Sequence, residues 1–67
     1  MHIQLLKAER KKRGYTQEYM AKQLGYKDKS SYCLIENGKV KASVEVAGKI
    51  SDILKLSSET MRKIFFA

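Results

Sequence analysis

Three glycines divide the first half of this chain, and their spacing allows only short helices between them. Gly14, Gly25 and Gly38 lie eleven and thirteen residues apart, and the sequence contains no proline. Glycine often ends a helix because it adopts positive φ without a steric penalty from a Cβ atom. Apolar residues between these glycines recur at helical spacing, and no stretch alternates as a strand does. The sequence therefore predicts an all-α protein.

Capping residues and apolar positions together predict five helices. The predicted segments are about Ile3 to Arg13, Thr16 to Gly25, Asp28 or Ser30 to Glu36, Ser43 to Leu54, and a fifth that follows Ser57. Residues expected to face the interior are Met20, Ala21, Leu24, Tyr32, Ile35, Val44, Ala47, Ile50, Leu54, Ile64 and Phe65. Gly48 is predicted to mark a close contact between the fourth helix and another helix.

The charge balance favours an anionic partner. Fourteen Lys and Arg residues against seven Asp and Glu residues give a net charge of +7 at neutral pH. This excess is large for so small a surface and creates a positive potential around the protein.

Length and composition argue against several other classes of protein. The 67 residues allow one domain, residues 1–67, with little room for a deep catalytic cleft. A single histidine and a single cysteine supply no acid–base pair, disulfide or metal site, so neither enzymatic activity nor a cofactor is predicted. His2 is interpreted as a disordered terminal residue and Cys33 as a structural one. No apolar run approaches the roughly 18 residues of a membrane helix and no signal peptide is recognisable, which predicts a cytoplasmic location.

The second and third predicted helices match a known DNA-binding unit. Two helices joined by a short turn, the second with a polar start, are typical of the helix-turn-helix, whose second helix enters the major groove. Further matching stretches are Arg10, GYTQE at 14–18, MAKQLG at 20–25, IENGK at 35–39 and SVEVAGKISDIL at 43–54. In order and spacing they resemble the phage repressor and Cro family of DNA-binding domains, often called Xre-type. The resemblance spans nearly the whole chain and implies a compact five-helix, lambda-repressor-like fold.

The resemblance also implies which residues contact DNA. The base-reading positions of the family correspond to Lys29, Ser30 and Leu34, together with Ser31, for which a phosphate contact is the alternative. Its phosphate contacts correspond to Arg10, Gln17, Asn37, Lys39 and Lys41. Lysine and serine donate hydrogen bonds to base edges, and leucine can contact a thymine methyl group. At each position the alternative is an ordinary solvated surface residue, and for Leu34 it is a core residue.

Two further features follow from the comparison with the family pattern. The family pairs Arg10 with Glu36, which implies an ion pair between the first helix and the end of the third. Ten residues separate Gly25 from Glu36, whereas the family usually has nine, so the turn is one residue longer. A longer turn shifts the start of the third helix, and the register of the base-reading residues therefore stays open.

Apolar residues near the end of the chain predict a contact between two copies. A fifth helix can turn Met61 and Phe65 toward the other helices, but Phe66 lies about 100° further round. Exposed apolar patches on small proteins mark interfaces. The predicted dimer interface comprises Leu56, Met61, Phe65 and Phe66. The alternative is that Phe66 folds back over the first helix and that the protein dimerises only on DNA.

These observations predict a sequence-specific, double-stranded DNA-binding transcriptional regulator. It is expected to be a repressor or Cro-like protein that binds a palindromic operator as a homodimer, because one domain of this size makes few base contacts. No membrane or small-molecule partner is predicted. The alternative is a protein-interaction module of the same fold, such as an antitoxin or a regulator-binding partner. The positive charge favours DNA, since a protein-binding relative is expected to lose Gln17 and the lysines of the loop at 39–42.

Overall fold

Five short helices account for most of residues 1–66, the part of the chain that the computed structural model describes. They are α1 (Ile3–Lys12), α2 (Gln17–Gln23), α3 (Lys29–Glu36), α4 (Val44–Leu54) and α5 (Ser58–Phe65). No strand occurs among residues 1–66. The prediction of an all-α, five-helix fold is confirmed, and the predicted helix boundaries lie within one or two residues of the observed ones.

Four of the helices begin after the side chains that the sequence predicted as caps. Each cap accepts a hydrogen bond from a free backbone N–H of the first turn. The pairs are Tyr19 N to Thr16 Oγ1 (3.0 Å), Ser30 N to Asp28 Oδ1 (3.0 Å), Val46 N to Ser43 Oγ (3.1 Å) and Thr60 N to Ser57 Oγ (3.1 Å). Of the two caps considered for α3, Asp28 is the one used, and Ser30 lies inside the helix.

The first helix is capped by a residue that the sequence interpretation left out of the fold. The backbone N–H of Leu5 donates to Nδ1 of His2 at 3.2 Å. The backbone N–H of His2 in turn donates to the carbonyl oxygen of Ile64 in α5 at 2.7 Å. The interpretation of His2 as a disordered residue is therefore wrong, because both its side chain and its backbone are hydrogen-bonded. His2 ties the start of α1 to the last turn of α5.

The predicted helix stops are confirmed, and they share one geometry. After α3, Gly38 N donates to Ile35 O at 3.0 Å and Lys39 N to Leu34 O at 3.0 Å, the two bonds of a Schellman motif. The glycines after α1, α2 and α3 have φ values of 76°, 85° and 75°. The end of α4 uses Lys55 in the same left-handed region, at φ 52°. Lys55 is the only non-glycine residue between 1 and 66 with positive φ.

The core draws on all five helices. Its buried residues are Leu6, Met20, Ala21, Leu24, Tyr32, Ile35, Ile50, Leu54 and Ile64. Within this arrangement α2 packs closely on α3, α1 contacts both α3 and α5, and α4 contacts α2 and α5. The helix-turn-helix pair α2–α3 is therefore supported from behind by α1 and α4, and α5 packs against those two helices. Nine of the eleven predicted interior residues are buried, Ala47 among them.

Three predictions about packing are wrong or only partly met. Val44 is 74% exposed, because the first turn of α4 is solvent-facing and burial begins only at Val46 and Ala47. Gly48 does not mark a close helix contact, since no atom of another helix lies within 4 Å of the position that a Cβ would occupy. Phe65 is half-buried and packs against the edge of the core.

Candidate nucleic-acid interface

Helix α3 has one face inside the protein and one in solvent. Tyr32, Ile35 and Glu36 are buried. The four residues predicted to read bases, Lys29, Ser30, Ser31 and Leu34, are all exposed. Leu34 is 42% exposed, so it is not the core residue that the alternative interpretation made it. A short helix with this division presents a polar start and one apolar side chain to an external partner.

The turn before α3 fixes where the exposed face begins. Tyr26 N donates to Ala21 O at 2.9 Å, which folds the chain back over the end of α2, and the Tyr26 side chain packs against the core. Asp28 then caps α3 through the backbone N–H of Ser30. Lys29 is consequently the first residue of the helix. Its side chain leaves the helix at the end that a helix-turn-helix inserts into the major groove.

The start of α2 lies beside the start of α3. Thr16 uses its hydroxyl as the helix cap, and Gln17 follows as the first residue of α2 with its side chain partly exposed. A shallow surface depression is lined by Arg10, Thr16, Gln17, Glu18 and Lys29. Gln17 and Lys29 thus border one concave surface, although they belong to different helices. The unpaired N–H groups of a helix start favour an anion in such a place.

Arg10 connects three elements behind this surface. Its Nε lies 3.1 Å and 2.9 Å from the two carboxylate oxygens of Glu36, and its Nη2 lies 2.9 Å from Glu36 Oε1. Its Nη1 donates to the carbonyl oxygen of Tyr15 at 2.7 Å. The side chains of Arg10 and Glu36 are 10% and 0% exposed. The guanidinium therefore holds α1, the segment before α2 and the end of α3 together.

This environment corrects the expectation that Arg10 contacts phosphate. The Arg10 side chain is nearly enclosed, and its guanidinium is engaged with a buried carboxylate and a backbone carbonyl. A phosphate would have to displace these partners and leave the Glu36 charge uncompensated, which costs several kcal/mol. We therefore assign Arg10 to the internal ion pair and not to the exposed surface formed by α2 and α3.

Tyr32 lies next to this ion pair. Burial, reinforced by the nearby Glu36 carboxylate and opposed by Arg10, raises the pKa of Tyr32 well above its ordinary value. The Tyr32 hydroxyl is buried without a hydrogen-bond partner of ordinary distance and angle among residues 1–66. The Glu36 carboxylate therefore raises the pKa of Tyr32 through its negative charge, which disfavours the ionised hydroxyl. Tyr32 carries no surface role, and its position under α3 marks it as part of the support of that helix.

The loop after α3 carries the other predicted phosphate contacts. Asn37, Lys39 and Lys41 are all exposed. One N–H of the Asn37 side chain donates to Cys33 Sγ at 3.2 Å, which positions the amide at the end of the helix. The two lysines flank Val40, which is itself 47% exposed. None of the predictions made from the sequence involves Val40.

The four residues predicted to form a dimer interface differ in exposure. Leu56 and Phe65 are half-buried and pack against the core, and Met61 is half-buried. Phe66 is 55% exposed, and its ring centroid lies 6.4 Å from that of Phe65. An apolar patch therefore remains in solvent at the end of α5.

Two other kinds of site are absent from residues 1–66. This part of the chain contains no group of three or more His, Cys, Asp or Glu side chains placed to hold a metal ion. No helix in it has the length and apolar character needed to cross a membrane.

Comparison with known protein families agrees with this geometry. Residues 6–61 match the family described as helix-turn-helix, and this span includes α2, α3 and the ion pair beneath them. The chain belongs to the helix-turn-helix family of the Xre or lambda-repressor type, and it is accordingly a DNA-binding regulatory domain. No curated protein and no solved structure gives a significant match to the chain.

Proposed function

We propose that this protein is a cytoplasmic transcriptional repressor or Cro-like regulator that binds a palindromic operator as a homodimer. In this proposal the outer face of α3 enters the major groove, and Lys29, Ser30, Ser31 and Leu34 contact base edges. Gln17, Asn37, Lys39 and Lys41 contact phosphates on either side of the groove.

The observation that carries the proposal is the division of α3 into two faces. The inner face is fixed by a buried ion pair and two buried side chains, so the helix is held rigidly from behind. The outer face exposes three hydrogen-bonding side chains followed by one aliphatic side chain. Lysine donates to guanine O6 and N7, serine can bond to most bases, and leucine can contact a thymine methyl group.

The proposed phosphate contacts flank this face at both ends. Gln17 lies beside Lys29 at the start of α3, and the exposed loop residues Asn37, Lys39 and Lys41 follow its end. Such contacts fix the position of the protein on the duplex without reading its sequence. The +7 charge of the chain supports them through long-range attraction to the duplex.

The proposed dimer rests on the apolar patch at the end of α5. Phe66 leaves an aromatic ring more than half exposed, and a second copy can cover it through a two-fold interface. Two copies related in this way would present their α3 helices to half-sites about one DNA turn apart.

Selection of binding sites from random duplex DNA tests the central claim. We expect a palindromic consensus and an affinity that falls steeply with salt. If a dimer neutralises about 6 phosphates, log K against log salt has a slope near −5. Absence of duplex binding at low salt would overturn the proposal and favour the protein-interaction module.

Two single substitutions separate reading contacts from positioning contacts. Lys29→Ala is expected to change the preferred base pair at one position of each half-site, whereas Gln17→Ala is expected to weaken all sequences by a similar factor. Both side chains lie on the same depression, so they form a matched pair. If Lys29→Ala lowers affinity evenly across a series of operator mutants, the reading register is displaced toward Ser31 and Leu34.

Sedimentation equilibrium without DNA tests the interface. Phe66→Ala is expected to shift the equilibrium toward monomer and to reduce cooperative operator binding. Tyr19→Ala removes an aromatic ring that is 39% exposed on α2 and serves as the control. An unchanged monomer–dimer balance in Phe66→Ala would place the interface elsewhere.

A further inference from the structure

Exposed aliphatic side chains concentrate at one end of α3. Among residues 1–66, the large apolar residues with the greatest exposure are Met1, Tyr19, Leu34, Val40, Val44 and Phe66. Leu34 lies in the last turn of α3 and Val40 in the loop that follows it, whereas Val44 belongs to α4. Single exposed apolar residues need no explanation, but a local concentration does.

The backbone fixes Val40 next to Leu34. The carbonyl oxygen of Leu34 accepts the Lys39 N–H at 3.0 Å and the Val40 N–H at 3.3 Å. This doubly used carbonyl results from the reversal of the chain at Gly38, where φ is 75°. The backbone of Val40 therefore returns to the last turn of α3, and its exposed side chain lies beyond the C-terminus of that helix.

The two residues next to Val40 make its surroundings positively charged. Lys39 and Lys41 are both exposed and place a positive charge on either side of the valine. An anionic surface with embedded apolar groups complements this arrangement. The major groove of DNA has this character, because thymine C5-methyl groups lie between two rows of phosphates.

The loop that carries Val40 continues toward the apolar patch on α5. Lys41 and Ala42 line one depression together with Met1, Phe65 and Phe66. Val40 thus lies between the base-reading face of α3 and the proposed dimer interface. In a two-fold dimer, the base pairs nearest to such a residue are those toward the centre of the operator.

We propose that Val40 is a specificity-determining residue that contacts thymine methyl groups in the inner part of each half-site, as a continuation of the contact made by Leu34. This inference rests on the proposed function and adds a base preference to it. The polar start of α3 reads hydrogen-bonding groups, and the apolar pair Leu34 and Val40 reads methyl groups. The operator is accordingly expected to carry A·T pairs with inward-placed thymines near its centre.

Replacing thymine by uracil tests this contact, because it removes one methyl group and leaves every hydrogen-bonding group of the base in place. Each thymine of the selected operator is replaced in turn, symmetrically in both half-sites, and affinities are measured for the parent protein, Val40→Ala and Val44→Ala. Val44 is the matched control because it is also an exposed valine, at 74%, but lies in α4.

The parent is expected to lose affinity about threefold to fivefold for each contacted methyl group at one inner position. Val40→Ala is expected to bind the thymine and uracil duplexes equally at that position, and Val44→Ala to discriminate as the parent does. The proposal is overturned if Val40→Ala keeps the parent's thymine-to-uracil ratio at every position, or if no thymine occupies the inner positions.

Two other outcomes distinguish a failure of this inference from a failure of the proposed function. If Val40→Ala alters sedimentation equilibrium without DNA but not the uracil response, Val40 belongs to a protein–protein contact and the inference is wrong, while the proposed function stands. If selection yields no preferred duplex, the proposed function fails first and the inference fails with it.

Discussion

The third and fifth helices have the same length but are held in different ways. Each spans eight residues and begins after a side-chain cap. Helix α3 buries Tyr32, Ile35 and Glu36 and is joined to α1 by a buried ion pair. Helix α5 buries Ile64 alone, and a backbone hydrogen bond from His2 reaches its last turn.

The two helices therefore suit different tasks: α3 is held in a fixed orientation, and α5 keeps apolar surface exposed. A helix that inserts into a groove needs a fixed orientation, because a small rotation would move every reading side chain. Helix α3 has polar and apolar attachments on its inner face and therefore leaves its outer face free. Helix α5 has fewer attachments and keeps apolar surface at Phe66, which suits a helix completed by a second copy. Substitutions of the buried residues that hold α3 should therefore unfold the protein, whereas substitutions of exposed residues in α5 should not.

The largest effect is expected from Glu36→Ala. Removing this carboxylate leaves the guanidinium of Arg10 buried without its counter-ion, which typically costs about 3–5 kcal/mol of unfolding free energy. Small domains are only about 5–15 kcal/mol stable, so the variant should be unfolded or nearly so. Urea denaturation followed by circular dichroism measures the loss.

The matched control lies in α5. Lys63 and Glu59 are 3.5 Å apart, but both side chains are largely exposed, so Lys63→Ala should cost no more than about 0.5 kcal/mol. The double variant Arg10→Met, Glu36→Leu should recover part of the loss, because no buried charge remains. A loss below about 1 kcal/mol for Glu36→Ala would mean that the ion pair does not anchor α3.

Tyr32 provides a pH-dependent test of the same support. Burial and the Glu36 carboxylate raise its pKa above the ordinary value of 10.0, so the folded protein keeps Tyr32 protonated while the unfolded chain ionises. Tyr32 therefore contributes fully to the free energy of unfolding below about pH 10. Above that pH the contribution falls by about 1.4 kcal/mol per pH unit. Denaturation of the parent and Tyr32→Phe between about pH 9 and pH 11 measures this slope.

Tyr32→Phe should remove this part of the alkaline destabilisation, and Tyr19→Phe, on the exposed side of α2, should retain it. At neutral pH, Tyr32→Phe should change stability little, since the hydroxyl has no partner of good geometry within residues 1–66 and replacing such a group can be nearly neutral. Equal alkaline slopes in parent and Tyr32→Phe would contradict the assigned environment.

His2 tests the attachment of α5 through α1. His2→Ala removes the cap on Leu5 N but keeps the backbone bond to Ile64, and we expect a loss of about 0.5–1 kcal/mol. His2→Asn supplies another capping oxygen and should lose less. If the alanine and asparagine variants are equally stable in urea denaturation, the His2 side chain does not cap α1.

Helix positions and most of the core could be predicted from the sequence because they depend on local information. Caps such as Thr16 and Asp28 act within three residues of themselves, and apolar periodicity identifies an inner face before the fold is known. Less of the candidate site could be predicted from the sequence. Lys29 and Gln17 are placed only by resemblance to a family, and because the turn before α3 is one residue longer than the family's, the residues of α3 that read bases stay a prediction.

What the sequence could not supply depends on distant neighbours. The exposure of Val44 depends on where the other helices end, and the hydrogen bond of His2 depends on Ile64 at the opposite end of the chain. The role proposed for Val40 depends on the chain reversal at Gly38, which brings the Val40 N–H to the carbonyl oxygen of Leu34. Arg10 was assigned one role too many, since its charge alone could not reveal that its guanidinium faces inward.

The smallest expected effect concerns how the chain leaves α3 and α4. Both helices end with a residue in the left-handed region, Gly38 at φ 75° and Lys55 at φ 52°. A side chain costs free energy there because Cβ crowds the following carbonyl. Lys55→Gly should therefore relieve strain ahead of α5 and raise the unfolding free energy by about 0.5–1 kcal/mol, after the greater freedom of glycine in the unfolded chain is subtracted. Gly38→Ala is the reverse control and should lower stability by a similar or larger amount. A Cβ there meets Ile3 only at an ordinary 3.4 Å, so the penalty comes from φ.

Thermal denaturation of both variants measures the two changes in stability. If Lys55→Gly is no more stable than the parent while Gly38→Ala is destabilised, the two helix ends are not equivalent and the strain assigned to the approach to α5 is absent.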